Sequence, residues 1–166
     1  MRNVLFYERQ NFNEIAYVII LVVGFIGLVW GLPGMNGSEP ASLIRISPGF
    51  SLFVIAAILA NLLTMTTWVY EDEIKVQFGR LFPYYTKRIP RDEIRSVQTV
   101  TYKPIREAGG WGIRFGRHDG ETSFYLNARG DQGVMLEREG KPIIIGTQFP
   151  ENFEKAVDSW GERTHR

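Results

Sequence analysis

No cysteine occurs in the 166 residues, which excludes disulfides, thiolate zinc sites and a cysteine nucleophile and is compatible with any redox compartment. Histidine is nearly as scarce. His118 stands in a His-Asp-Gly turn and His165 at the C-terminal end, so no ligand set for a metal is expected. A marked excess of either charge is also missing: the formal net charge is +1, and nucleic-acid binders need a concentrated basic surface to neutralise phosphates. Nucleic acid is therefore not an expected partner. Ser, His and Asp all occur, yet no spacing joins them as a triad, and neither a catalytic residue nor a cofactor is expected. Gly109 to Gly116 is glycine-rich like a phosphate loop, but it follows no parallel strand and opens no helix, so it reads as a strand bend.

Charge is absent from two long stretches. Residues from Tyr70 onward hold 16 of the 19 Lys and Arg and 15 of the 18 Asp and Glu, which divides the chain into an apolar first part (1–69) and a charged second part (70–166). Ile15 to Leu32 contains twelve Ile, Leu, Val or Phe residues. At 1.5 Å per residue such a helix spans roughly 27 Å, and its aliphatic residues favour insertion into lipid by about 4 to 7 kcal/mol. Phe50 to Val69 is as long and equally uncharged, although Ser51, Asn61, Thr64, Thr66 and Thr67 weaken it. No charged face recurs at helical spacing in either run, as a helix on a water-facing surface would require. Leu32-Pro-Gly34, Gly37, Pro40 and Pro48 break the chain between them.

These features predict a hairpin of two transmembrane helices. Arg2 and Arg9 precede it, Lys75, Arg80, Lys87 and Arg88 follow it, and only Arg45 lies between, so both termini are expected in the cytoplasm. Tyr17, Trp30, Trp68 and Tyr70 sit near the expected boundaries. A cleaved signal peptide is the weaker alternative, because the apolar stretch is too long and Gly-Leu-Pro-Gly is a poor cleavage site. Gly24, Gly27 and Gly31 on the first helix and Ala56, Ala57 and Ala60 on the second offer close backbone contact, within the hairpin or to another subunit. Asn61 is expected to hydrogen-bond at bilayer depth as a structural contact.

After Trp68 the pattern changes to period two: Ile74, Val76 and Phe78 alternate with Lys75 and Gln77. Further strands are expected at 84–89, 94–102, 112–115, 123–127, 134–138 and 143–147, with Arg138-Glu-Gly-Lys141 as a hairpin turn. Pro150 opens a helix that places Phe153, Ala156, Val157 and Trp160 on one face.

About seven strands closed by one C-terminal helix resemble a bacterial pleckstrin-homology-like (PH-like) domain. The stretches that carry the resemblance are 74–79, 89–94, 110–115 and 142–147 leading into Pro150-Glu151. The resemblance implies an α+β domain, a PH-like barrel of about seven antiparallel strands capped by that helix, following a two-helix membrane hairpin in the bacterial inner membrane. The hairpin anchor, the absence of catalytic residues and a direct join with almost no linker at Trp68 to Glu71 point to a non-enzymatic binding or scaffold module, an accessory subunit that contacts other membrane proteins and lipids. Phosphoinositide binders of this family carry basic residues on the first two strands and the loop between them; here Glu71-Asp-Glu73 stands in that turn and would repel a phosphate. Anionic-lipid sensing is the alternative function, through Arg80, Lys87, Arg88, Arg91 and Arg95. Against it, adjacent strand residues point to opposite faces, and Asp92 and Glu93 dilute the patch.

Overall fold

The computed structural model describes residues 3–12, 14–31 and 48–162. A first strand, β1 (Val4–Asn11), leads into helix α1 (Glu14–Gly31), and helix α2 (Pro48–Leu62) returns the chain to β2 (Thr64–Tyr70). β1 and β2 pair antiparallel from Val4↔Tyr70 to Asn11↔Thr64, and the Phe12 amide donates to the Leu63 carbonyl at 3.0 Å. The helix pair is therefore an excursion between two neighbouring strands of one sheet. Arg2, Arg45, the breakers Gly37 and Pro40, and His165 lie outside the described residues.

Two expectations about this region are corrected. The second apolar run does not continue as a helix to Val69; α2 stops at Leu62 because Thr64, Thr66, Thr67 and Val69 are β-branched and the chain from Met65 to Val69 pairs with strands on both sides. The helices have 18 and 15 residues, or roughly 27 and 22 Å against a hydrocarbon core of about 30 Å. Among the described residues no helix is long and apolar enough to cross a membrane. The spans at 15–32 and 50–69, the two-pass topology with cytoplasmic termini and the bacterial inner-membrane location are not supported.

From β2 the chain turns through β3 (Glu73–Phe78) and β4 (Tyr85–Pro90) to complete a sheet of order β1-β2-β3-β4. A short 3-10 turn at Arg91–Glu93 then leads to β5 (Ile94–Thr101), the one-turn helix α3 (Pro104–Ala108), β6 (Gly112–His118), β7 (Glu121–Asn127), β8 (Gln132–Arg138) and β9 (Ile143–Gly146). These five strands form the second sheet, ordered β5-β8-β9-β7-β6. The expected single closed PH-like barrel is corrected to two sheets of four and five strands. The reason lies in β9, which runs antiparallel to β8 but parallel to β7, so the β8–β9 hairpin is inserted beside the β6–β7 hairpin.

Period-two burial builds the core. Ile74, Val76 and Phe78 of β3 are fully buried, as are Leu126, Leu136 and Ile145 from the second sheet, each contributing about 1.5 to 3 kcal/mol by leaving water. Helix α4 (Pro150–Glu162) adds Phe153, Ala156, Val157 and Trp160 to the same cluster. The indole of Trp160 donates to the Tyr70 carbonyl at 2.7 Å, and Arg91 donates to the Trp160 carbonyl at 2.6 Å. α4 is thereby tied to the end of β2 and the start of β5.

Candidate functional site

α1 and α2 meet where side chains are smallest. A Cβ on Gly24 would lie 2.9 Å from Cβ of Ala56, and one on Gly27 would lie 2.7 Å from the Gly49 carbonyl oxygen, so the backbones approach as only glycine permits. Ala56 is buried, Ala60 is half-buried, and Gly31 is the final residue of α1. The remaining faces are apolar and open. Val22, Phe25, Ile26 and Trp30 on α1 and Phe50, Ile55, Ile58 and Leu59 on α2 are all exposed, which amphipathic helices on a water-facing surface avoid.

Asn61 is engaged elsewhere than between the helices. It lies in the last turn of α2, where its Oδ1 accepts the amides of Leu81 (2.7 Å) and Phe82 (3.0 Å) and its Nδ2 donates to the Phe82 carbonyl (2.9 Å). The Arg80 amide donates to the Asn61 carbonyl and the Tyr84 hydroxyl to the Leu62 carbonyl, both at 3.2 Å. One side chain thus fixes the β3–β4 turn against the root of the helix pair. Leu81 and Phe82, 74% and 77% exposed, project from that turn and continue the apolar surface.

The five cations do not converge. Lys87 and Arg88 are adjacent on β4 and face opposite sides of the sheet, while Arg80 sits in the exposed turn. The Arg91 guanidinium lies 5.8 Å from the Trp160 ring centre, and Arg95, in the second sheet, pairs with Glu139 at 2.6 Å. A different feature emerges on the outer face of the first sheet, where Tyr7, Trp68, Lys75 and Arg88 are successive register partners and the Lys75 amine lies 4.8 Å from the Trp68 ring centre.

A polar cluster that sequence reasoning missed joins α3 to β6 and β7. Glu107 Oε2 lies 2.8 Å from Nδ1 of His118 and accepts from the Tyr125 hydroxyl at 3.0 Å, while Oε1 accepts the Lys103 amide at 3.0 Å. Burial alone would raise the Glu107 pKa, but the hydrogen bonds from His118, Lys103 and Tyr125 outweigh it and hold the carboxyl below its ordinary value. Burial and the Glu107 carboxylate push the Tyr125 hydroxyl up, and burial raises Tyr102 to about 12. An open hollow of about 570 Å3 lies beside the cluster, lined by Lys103, Arg106, Glu107, His118 and Asp119 among others. Among the described residues no group of three or more His, Cys, Asp or Glu could hold a metal. The signal for α3 was present in the sequence: Pro104 opens the helix, and Gly109, at φ +70°, closes it in the left-handed conformation.

No family model matches the chain, and neither does any curated protein or solved structure. The resemblance to PH-like membrane proteins is accordingly withdrawn, since the spanning hairpin and the closed barrel that it implies are not found among the described residues.

Proposed function

We propose that this protein is a non-enzymatic binding module, an accessory subunit that docks through the apolar helix pair onto a partner protein whose own helices are apolar. The observation that carries the reading is the open surface of α1 and α2, where large aliphatic and aromatic side chains point away from the contact between the helices. Such a surface in water favours burial by roughly 25 cal/mol per Å2 of apolar area covered, and the body of the protein leaves it uncovered. The Leu81-Phe82 turn, held by Asn61, extends the same surface at the helix roots.

A photo-crosslinking side chain at Phe25 or Ile58, both exposed, tests this in the full-length chain. Purified from its native host, the protein is expected to form a stoichiometric adduct with one partner at either position and none from Arg117 on exposed β6. With the crosslinker kept at Phe25 or Ile58, replacing Val22, Ile26, Ile55 and Leu59 together by Ser should abolish the adduct while leaving the strand signal in circular dichroism unchanged. A monodisperse monomer in detergent-free buffer, with no adduct, defeats the proposal; so does equal loading onto protein-free vesicles, which would make lipid the covering surface.

A further inference from the structure

The edge of the first sheet offers a second docking place that does not involve the helix pair. Among the described residues β1 has a sheet neighbour on one side only, β2. From Glu8 onward its inward side chains are committed to the second sheet: the Thr147 hydroxyl donates to Glu8 Oε2 at 2.5 Å, the Gln148 amide to Glu8 Oε1 at 2.9 Å, and Gln10 Nε2 to the Gly146 carbonyl at 2.9 Å. The part of the edge that borders a groove is Leu5 to Tyr7. A register shift between Val4 and Phe6 marks a bulge, and Leu5 and Phe6 both pack against the core.

Alongside this edge runs a groove of about 650 Å3 between β1 and α4, with Leu5, Phe6, Phe149 and Ala156 as apolar walls and Asn152 and Lys155 among its polar lining. Phe149, Asn152, Ala156 and Ser159 recur at helical spacing, so the α4 wall is about 15 Å long, the reach of four to five extended residues at about 3.3 Å each. We propose that this groove binds an extended peptide segment of a partner protein, which adds as a strand to Leu5–Tyr7 and places an apolar side chain between Phe6 and Ala156. Two observations select that occupant. An open strand edge needs main-chain donors and acceptors at strand spacing, which another strand supplies and a helix does not. Among the described residues Lys155 is the one charged residue lining the groove, so a carboxylate beside the apolar anchor is the complementary charge.

The test selects twelve-residue peptides from a random displayed library on the full-length chain in nonionic detergent, then measures the enriched peptides by fluorescence anisotropy. Asn152→Trp, at an exposed position, should fill the groove and weaken binding by about tenfold or more, and Lys155→Glu should reverse the preference for an acidic peptide. N-methylation of successive peptide amides should lose affinity at alternate positions only, the signature of strand addition. Three results would overturn the proposal: enrichment that survives both variants, N-methyl losses without alternation, or a concentration-dependent dimer that N152W abolishes, which would make a second copy the occupant. Because none of these changes touches α1 or α2, failure here and failure of the helix-pair docking are separable.

Discussion

Glu107 shows how one side chain can fasten a short helix. α3 has a single turn and exposes Ile105, so its own hydrogen bonds and burial are weak anchors, and the carboxylate supplies three bonds to β6, β7 and its own N-terminus. Gly116 permits the approach, since a Cβ there would lie 2.1 Å from the Glu107 carbonyl oxygen. Glu107→Gln is expected to cost about 1 to 3 kcal/mol at neutral pH, the range for weakening charge-assisted hydrogen bonds at a partly buried site. The folded pKa is depressed below the ordinary 4.5, so this stability is fully present above that value and disappears as pH falls through the folded value. Melting temperatures of the two proteins should therefore differ most near neutrality and converge on acidification below about 4.5. A difference that persists unchanged at low pH would show that Glu107 acts through packing and not through its charge.

At the scale of elements, Asn61 couples α2 to the β3–β4 turn. Asn61→Ala removes three hydrogen bonds at the helix end, with an expected loss of about 1 to 3 kcal/mol if the Leu81 and Phe82 amides are left poorly satisfied. Hydrogen exchange should accelerate at those two amides, while amides of β7 and β8 keep their protection. Asn61→Asp retains the acceptor and should recover the Leu81 amide but not the bond to the Phe82 carbonyl. Uniform acceleration through both sheets would contradict the local role.

Legibility in the sequence followed the same division between local pattern and tertiary pairing. β3 was readable because its inward residues, Ile74, Val76 and Phe78, are all apolar, and the face of α4 because Phe153, Ala156, Val157 and Trp160 recur at helical spacing. β1 was hidden because two of its inward residues, Glu8 and Gln10, are polar and gain partners only when β9 arrives from more than a hundred residues away. The handover from α2 to β2 was hidden because Thr64 to Val69 prolongs an uncharged run, and only pairing on both sides decides for strand. Glu107, His118 and Tyr125 lie on three elements, so no spacing could announce them.

For the whole molecule, the decisive feature is that the helices leave and re-enter the sheet at adjacent positions. Asn11 faces Thr64 across the β1–β2 ladder, and the Phe12 amide closes on the Leu63 carbonyl. The main core cluster draws on both sheets and α4 and, among the described residues, includes none from α1 or α2, so burial in the body does not rest on the excursion. Replacing residues 13–62 by Asn-Gly should convert the excursion into a two-residue hairpin turn of the type that suits antiparallel strands. The shortened chain is expected to fold, keep its strand signal in circular dichroism and unfold in one cooperative transition, with a midpoint lowered by the loss of the Asn61 bonds to the β3–β4 turn. It should also remain in solution without detergent at concentrations where the full chain aggregates or binds its partner, because the exposed aliphatic surface leaves with the helices. A shortened chain that fails to fold would place α1 and α2 within the cooperative core and make them scaffold, not docking element.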